Sequence, residues 1–178
     1  NVSGAVGGQI DKLIIAPILG LELLGNYSLA MQFLIILLLF PTIIFKYLLP
    51  QDSTGKNTKI FKKNSIFVSI GLAVFGIVVL PLIIPVLFPK FIDTTIAIQI
   101  VSVVVIPATI GVFYESKLLA LEKGKFPIIS KSIGIVALIS GFLILGPIYG
   151  MIGLAVAFVI SATLQTVFIT IASRTIRH

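Results

Sequence analysis

The chain of 178 residues is 58% hydrophobic and only 11% charged, with a mean hydropathy of +1.20 and a formal net charge of +7. This composition excludes an ordinary soluble domain, because globular proteins contain about 45–50% apolar residues. The basic residues lie between apolar runs without base-stacking aromatics, which argues against nucleic-acid binding, and the lack of cysteine excludes disulfides and thiolate metal sites.

Long uncharged runs predict an all-α protein, an integral membrane bundle of about six helices, because a spanning helix needs about 20 apolar residues. The third run is the clearest, since no charge lies between Asn64 and Lys90. The first run is interrupted by Asp11 and Lys12. In chain order, the predicted helices cover approximately residues 2–19, 27–49, 65–88, 94–118, 128–145 and 151–172.

The connections between the predicted helices alternate between Gly/Pro turns and basic loops. The basic loops and the C-terminal tail hold all of the 13 Lys and Arg residues except Lys12 and Lys90. By the positive-inside rule, we expect a multi-pass protein of the plasma membrane with these loops and the C-terminus in the cytoplasm. The segment from Thr58 to Asn64 is either a plain solvated loop or a short amphipathic helix on the inner leaflet.

Two charges lie deep in the first predicted helix. Asp11 precedes Gly20 by nine residues, which places it about 13 Å from the outer end and near the bilayer midplane. Charges at that depth usually face a bundle interior or a water-filled path. Either Asp11, Lys12 and Gln9 line a hydrophilic cavity that binds a charged headgroup or a coupling cation, or the two charges form structural ion pairs with another helix.

Three glutamines also fall within predicted helices, at Gln32, Gln99 and Gln165. Each must find a hydrogen-bond partner in the protein or in trapped water. Gln32 and Gln99 are further candidates for the cavity wall, and hydrogen bonding between helices is the alternative role for all three. Prolines predict kinks in these helices, at Pro17, Pro41, Pro81, Pro85 and Pro107.

The sequence offers no motif for catalysis. It has no Ser/His/Asp set, no metal-ligand cluster and no Gly-rich phosphate loop. We therefore predict no enzymatic activity, no cofactor and no metal site. Local ion pairing or snorkelling accounts for Glu115, which lies near the basic loop that contains Glu122 and Lys123.

Two stretches carry a family resemblance: DKLIIAPILG at 11–20 followed by LGNYSLA at 24–30, and LEKGK at 121–125 followed by GPIYGMIGLAVA at 146–157. They resemble the seventh and eighth helices and the last two helices of the polysaccharide exporter family. In that family the seventh helix reads Asp-Arg/Lys, an apolar run and Leu-Gly, before Gly-x-Tyr-Ser-Leu-Ala. The resemblance extends over nearly the whole chain.

That family belongs to the multidrug/oligosaccharidyl-lipid/polysaccharide exporter superfamily. The resemblance implies two lobes around a cavity that opens alternately to each side of the membrane, with about 12–14 helices in all. This chain would be the C-terminal lobe, and its partner would be an N-terminal six-helix lobe. The sequence starts at Asn1, without Met and inside an apolar stretch, which agrees with the expectation that it is part of a longer polypeptide.

The implied function is to flip lipid-linked oligosaccharide or polysaccharide precursors, with polyprenyl phosphate carriers as the lipid. Lys12 matches the basic residue that would contact the diphosphate, and Asp11 matches the family's recurrent acidic residue. The alternatives are a cation-coupled multidrug exporter of the same superfamily and a membrane scaffold that transports nothing.

Overall fold

The structure is a computed structural model that describes residues 20–91 and 94–175, and all regular secondary structure in these ranges is helical. The first predicted helix, with Gln9, Asp11 and Lys12, lies outside the described residues. The described elements are α1 (Leu21–Ser53), α2 (Lys59–Val78), α3 (Leu80–Leu87), a 3₁₀ turn (Pro89–Phe91), α4 (Thr94–Ser102), α5 (Val105–Ala120) and α6 (Lys125–Thr175).

Four helical stretches are long and apolar enough to cross a membrane, namely Leu23–Ser53, Lys59–Val78, Thr94–Ala120 and Lys125–Thr175. Their outward faces carry large apolar side chains, such as Ile43, Phe67 and Val136, each more than 60% exposed. Soluble proteins rarely expose apolar surface so extensively. The described fold is therefore that of a helical multi-pass membrane protein.

The longest helix, α6, is a bent hairpin. Its 51 residues would extend about 77 Å if straight, more than twice the hydrocarbon thickness of a bilayer. Gly150 interrupts it with φ 55° and ψ −130°, a conformation that favours glycine. The Ser161 hydroxyl donates to the Gly134 carbonyl at 2.8 Å across the hairpin. The first arm (125–149) and the second arm (151–175) thus run antiparallel, in agreement with the helices predicted at 128–145 and 151–172.

Small residues let the two arms approach closely. Gly153, Ala157 and Ser161 follow one another at intervals of four residues, which places them on one face of the second arm. A Cβ atom added at Gly153 would overlap the Leu145 carbonyl, and one added at Gly141 would lie 2.6 Å from Ala157 Cβ. The hairpin therefore belongs to the small-residue packing mode of membrane helices.

Prolines account for two interruptions that the sequence predicted only as kinks. Pro81 has no amide to donate to the Ile77 carbonyl, and the regular helix is interrupted at Val79, between α2 and α3, although Val79 keeps helical dihedral angles. Likewise, Pro107 cannot donate to the Val103 carbonyl, which accepts instead from the Ile106 amide at 3.2 Å. The predicted helices at 65–88 and 94–118 are therefore each divided into two shorter helices.

The basic segment between α1 and α2 is more ordered than a solvated loop. Residues 59–64 form the first turns of α2, continuous with its apolar part, so they are not a separate amphipathic helix. The Phe61 ring packs against the Tyr47 ring with centroids 4.5 Å apart, whereas Ile60 is 79% exposed. Only one of these two apolar side chains is thus free to contact lipid.

The α4–α5 stretch lies at the centre of the bundle. It packs against α1, α2 and α6, and 44% of its most apolar window is buried, against 22–28% for the other three stretches. At the end of the bundle near Gly150, the Thr94 hydroxyl donates to the Asn26 side chain at 3.2 Å. We call this the turn end, and we call the opposite end, which carries the 54–58 and 121–124 connections, the basic end.

We predict that Gly153→Ala destabilises the protein by about 1–3 kcal/mol, because the added Cβ meets backbone that cannot move aside. The loss of stability is measured as a lower unfolding temperature in detergent, with size-exclusion chromatography of heated samples as the readout. Gly71→Ala is the matched control, since a Cβ there meets open space and alanine favours the helix. Equal unfolding temperatures for the two variants would contradict the close packing of the hairpin.

Candidate functional site

A groove of about 280 Å³ opens between α1, α5 and the two arms of α6. We call it the polar groove. One part of its wall is apolar and includes Leu38, Val104 and Phe158. The other part carries the polar side chains of Glu115, Ser130, Lys131, Gln165 and Thr166. The groove therefore offers adjoining polar and apolar surfaces within an apolar bundle.

An ion pair joins α5 to the first arm of α6 in this groove. Lys131 Nζ lies 2.7 Å from Glu115 Oε1, and the side chains are 56% and 18% exposed, respectively. Glu115 precedes the end of α5 by five residues and Lys131 follows the start of α6 by six, so both lie about 8–9 Å inside the basic end. Because an ammonium has three donors, the exposed Lys131 can bind a second anion beside Glu115.

Hydroxyl and amide groups continue the polar wall towards the middle of the bundle. The Ser130 hydroxyl donates to the Gln165 carbonyl at 2.9 Å, and the Thr166 hydroxyl donates to the Pro107 carbonyl at 2.8 Å. Gly134 leaves the space that the Gln165 side chain occupies, since a Cβ there would overlap it. Pro107, which accepts from Thr166, lies 13 residues before the end of α5, or about 20 Å along that helix. The polar wall thus reaches about halfway through the bundle.

The glutamines predicted as cavity candidates lie elsewhere. Gln32 is exposed on α1. Gln99, on α4, donates through Nε2 to the Ile77 carbonyl of α2 at 3.1 Å. This carbonyl is the one that Pro81 leaves without an amide donor, so Gln99 replaces the missing helical hydrogen bond. Gln99 thus has the interhelical role that was its alternative assignment, and neither glutamine lines the polar groove.

A second charged cluster lies at the basic end. Asp52, at the end of α1, accepts hydrogen bonds from Lys62 Nζ at 3.1 Å, from the Thr58 hydroxyl at 3.3 Å and from the Ser116 hydroxyl at 2.8 Å. Its side chain is only 9% exposed. We call this cluster the Asp52 hub. Through one carboxylate, it joins the end of α1 to the first turns of α2 and to α5.

Sequence reasoning missed the Asp52 hub and did not place Glu115 and Lys131 in a groove. The signal for the hub was available, since Asp52 is the acidic residue that precedes the four lysines of the first basic loop. Glu115 and Lys131 are separated by a turn, and spacing alone did not show that they meet. Within the described ranges, no three His, Cys, Asp or Glu residues are grouped so that they could hold a metal ion.

Comparisons with models of known protein families, with curated proteins and with solved structures find no match for this chain. The class that the described fold defines is a helical multi-pass membrane protein with a partly polar groove.

We predict that Gln99→Leu lowers the stability by about 1 kcal/mol, because the Ile77 carbonyl loses its donor in an apolar environment. Gln32→Leu makes the same change at an exposed position and should leave the unfolding temperature in detergent unchanged. If the two variants had the same unfolding temperature, Gln99 would not supply the hydrogen bond that Pro81 cannot donate.

Proposed function

We propose that the chain is one lobe of a transporter that moves lipid-linked oligosaccharide or polysaccharide precursors across the membrane by alternating access. The polar groove is the observation that carries this proposal. Its ion pair and hydroxyl groups extend from the basic end about halfway into an apolar bundle. Polar surface at that depth usually marks a substrate or ion path in membrane proteins.

The lining of the groove suits an amphipathic substrate. A polyprenyl diphosphate sugar combines an anionic, hydrogen-bonding headgroup with a long apolar tail. Lys131 offers the headgroup an exposed ammonium, and Leu38 and Phe158 offer the tail apolar surface. In the absence of substrate the ammonium pairs with Glu115, and a diphosphate would compete for it.

The helix interruption beside the groove suits a moving lobe. Val104, which lines the groove, lies between α4 and α5, where Pro107 prevents a regular helical hydrogen bond. Transporters often place interrupted helices at their binding sites. Such a position can absorb a change in direction between two otherwise rigid helices.

The remaining parts of the proposal come from the sequence. Lys12, Asp11 and Gln9 would add the deeper part of the headgroup site, and a second six-helix lobe would form the other wall. The basic end would face the cytoplasm and the turn end the outside, in the plasma membrane.

A transport assay with the full-length protein in liposomes tests the proposal. The probe is a polyprenyl diphosphate disaccharide with a fluorescent tag that an impermeant reductant quenches. We expect Lys131→Gln to slow transport about tenfold or more, because a charge-assisted hydrogen bond to phosphate is lost. Lys131→Arg should retain most of the activity, and Lys90→Gln, at the turn end, should retain all of it. Lys12→Ala should slow transport by a similar factor as Lys131→Gln.

Two outcomes would overturn the assignment. Gradient-driven movement of a cationic dye, without movement of the lipid-linked sugar, would indicate the cation-coupled drug exporter. Movement of neither probe by the wild-type protein would indicate the scaffold.

A further inference from the structure

A second cavity lies at the basic end, on the side of α5 away from the polar groove. It has a volume of about 540 Å³ and lies between the α1–α2 connection, the start of α2 and the end of α5. We call it the basic cavity. Four lysines and one carboxylate line it, at Lys56, Lys59, Lys62, Lys117 and Asp52. None of these residues belongs to the groove on which the proposed transport depends.

The basic cavity carries more positive charge than its one carboxylate can neutralise. Asp52 is already engaged by Lys62, Thr58 and Ser116. Among the residues that the structure describes, Lys56, Lys59 and Lys117 form no ion pair. Like charges around one concave surface repel each other and attract an anion. The cavity therefore favours a negatively charged occupant.

A smaller cavity of about 360 Å³ adjoins the basic cavity. The two share Lys59, Lys62 and Lys117, and the second is lined further by Ile66 and Phe113, with Lys63 and Tyr114 at its wall. Both Ile66 and Phe113 belong to the apolar part of the bundle, whereas the α1–α2 connection lies outside it. The lysines of the basic cavity thus adjoin a wall that also contains apolar side chains.

This arrangement fits a phospholipid better than a free anion. The phosphate of a headgroup would lie among the lysines of the basic cavity, and an acyl chain would follow Ile66 and Phe113 towards the bilayer. Basic pockets between membrane helices bind anionic headgroups in this way. Exposed Ile60 and Leu121, near the same end, add apolar contact at the membrane surface.

We propose that the basic cavity binds the phosphate headgroup of an anionic phospholipid from the leaflet at the basic end. The bound lipid would bridge the start of α2 and the end of α5, and so stabilise the end of the bundle that the Asp52 hub already joins. This role requires no transport, so it stands or falls separately from the proposed function.

Native mass spectrometry of the purified full-length protein tests the proposal, with phosphatidylglycerol as the probe and phosphatidylcholine as the neutral comparison. We expect phosphatidylglycerol to bind more tightly than phosphatidylcholine. The substitutions Lys59→Gln and Lys117→Gln should each weaken the binding of phosphatidylglycerol about fivefold. The matched control is Lys90→Gln with Lys123→Gln, which removes the same charge outside the cavity and should change little. Lys62 is left unchanged because it pairs with Asp52.

Thermal unfolding provides a second measurement. Phosphatidylglycerol should raise the unfolding temperature of the wild-type and control proteins, but not that of the Lys59→Gln/Lys117→Gln protein. Equal lipid binding by the cavity and control variants would overturn the proposal. Displacement of phosphatidylglycerol by millimolar inorganic phosphate would overturn it as well, because the site would then recognise a free anion.

Discussion

The bundle depends on one constraint: a polar group in an apolar layer must find its partner inside the protein. Among the described residues that are not exposed, no buried side-chain nitrogen or oxygen lacks a hydrogen-bond partner. Pro81 shows how strictly this applies, because the carbonyl that it leaves free at Ile77 accepts from Gln99 on a neighbouring helix. Buried hydroxyls follow the same rule, since Thr109 donates to the Val105 carbonyl one turn earlier at 2.8 Å. Where a proline interrupts α2, a glutamine of a neighbouring helix thus supplies the missing hydrogen bond and joins the two helices.

The same constraint explains where charge collects. Both described ion pairs lie in the half of the bundle near the basic end, and both contact α5, because Glu115 belongs to this helix and Asp52 accepts a hydrogen bond from its Ser116. Glu115 and Ser116 are consecutive on this helix, so their side chains point about 100° apart. Glu115 faces the polar groove and Ser116 faces the Asp52 hub, which places the proposed substrate site and the proposed lipid site on two sides of one central helix. A lipid in the basic cavity would thus act on the helix that also forms a wall of the groove.

Hydropathy predicted the elements well, because the length of an apolar run reports directly on a helix that can cross a membrane. The described structure is all helical, and its helices overlap the predictions from 27–49 onward. The turn predicted at 146–150 occurs at Gly150, although the helix continues through Pro147. The groove was not predicted, because one sequence does not show which faces of α5 and α6 meet, and this decides whether Glu115 reaches Lys131. The residues singled out at Gln9, Asp11 and Lys12 lie outside the described part of the chain, so their role stays a prediction.

A hairpin in α6 requires this helix to cross the membrane twice, with its two ends on the same side as the other basic connection. The chain has no cysteine, so single cysteines introduced in it report position without background once any cysteine elsewhere in the full-length protein is replaced. We expect an impermeant maleimide to label Tyr149→Cys in intact cells, and to label Lys56→Cys, Lys123→Cys and Arg174→Cys only after the membrane is opened. Labelling of Lys123→Cys and Arg174→Cys from opposite sides would contradict it, because α6 would then cross the membrane only once.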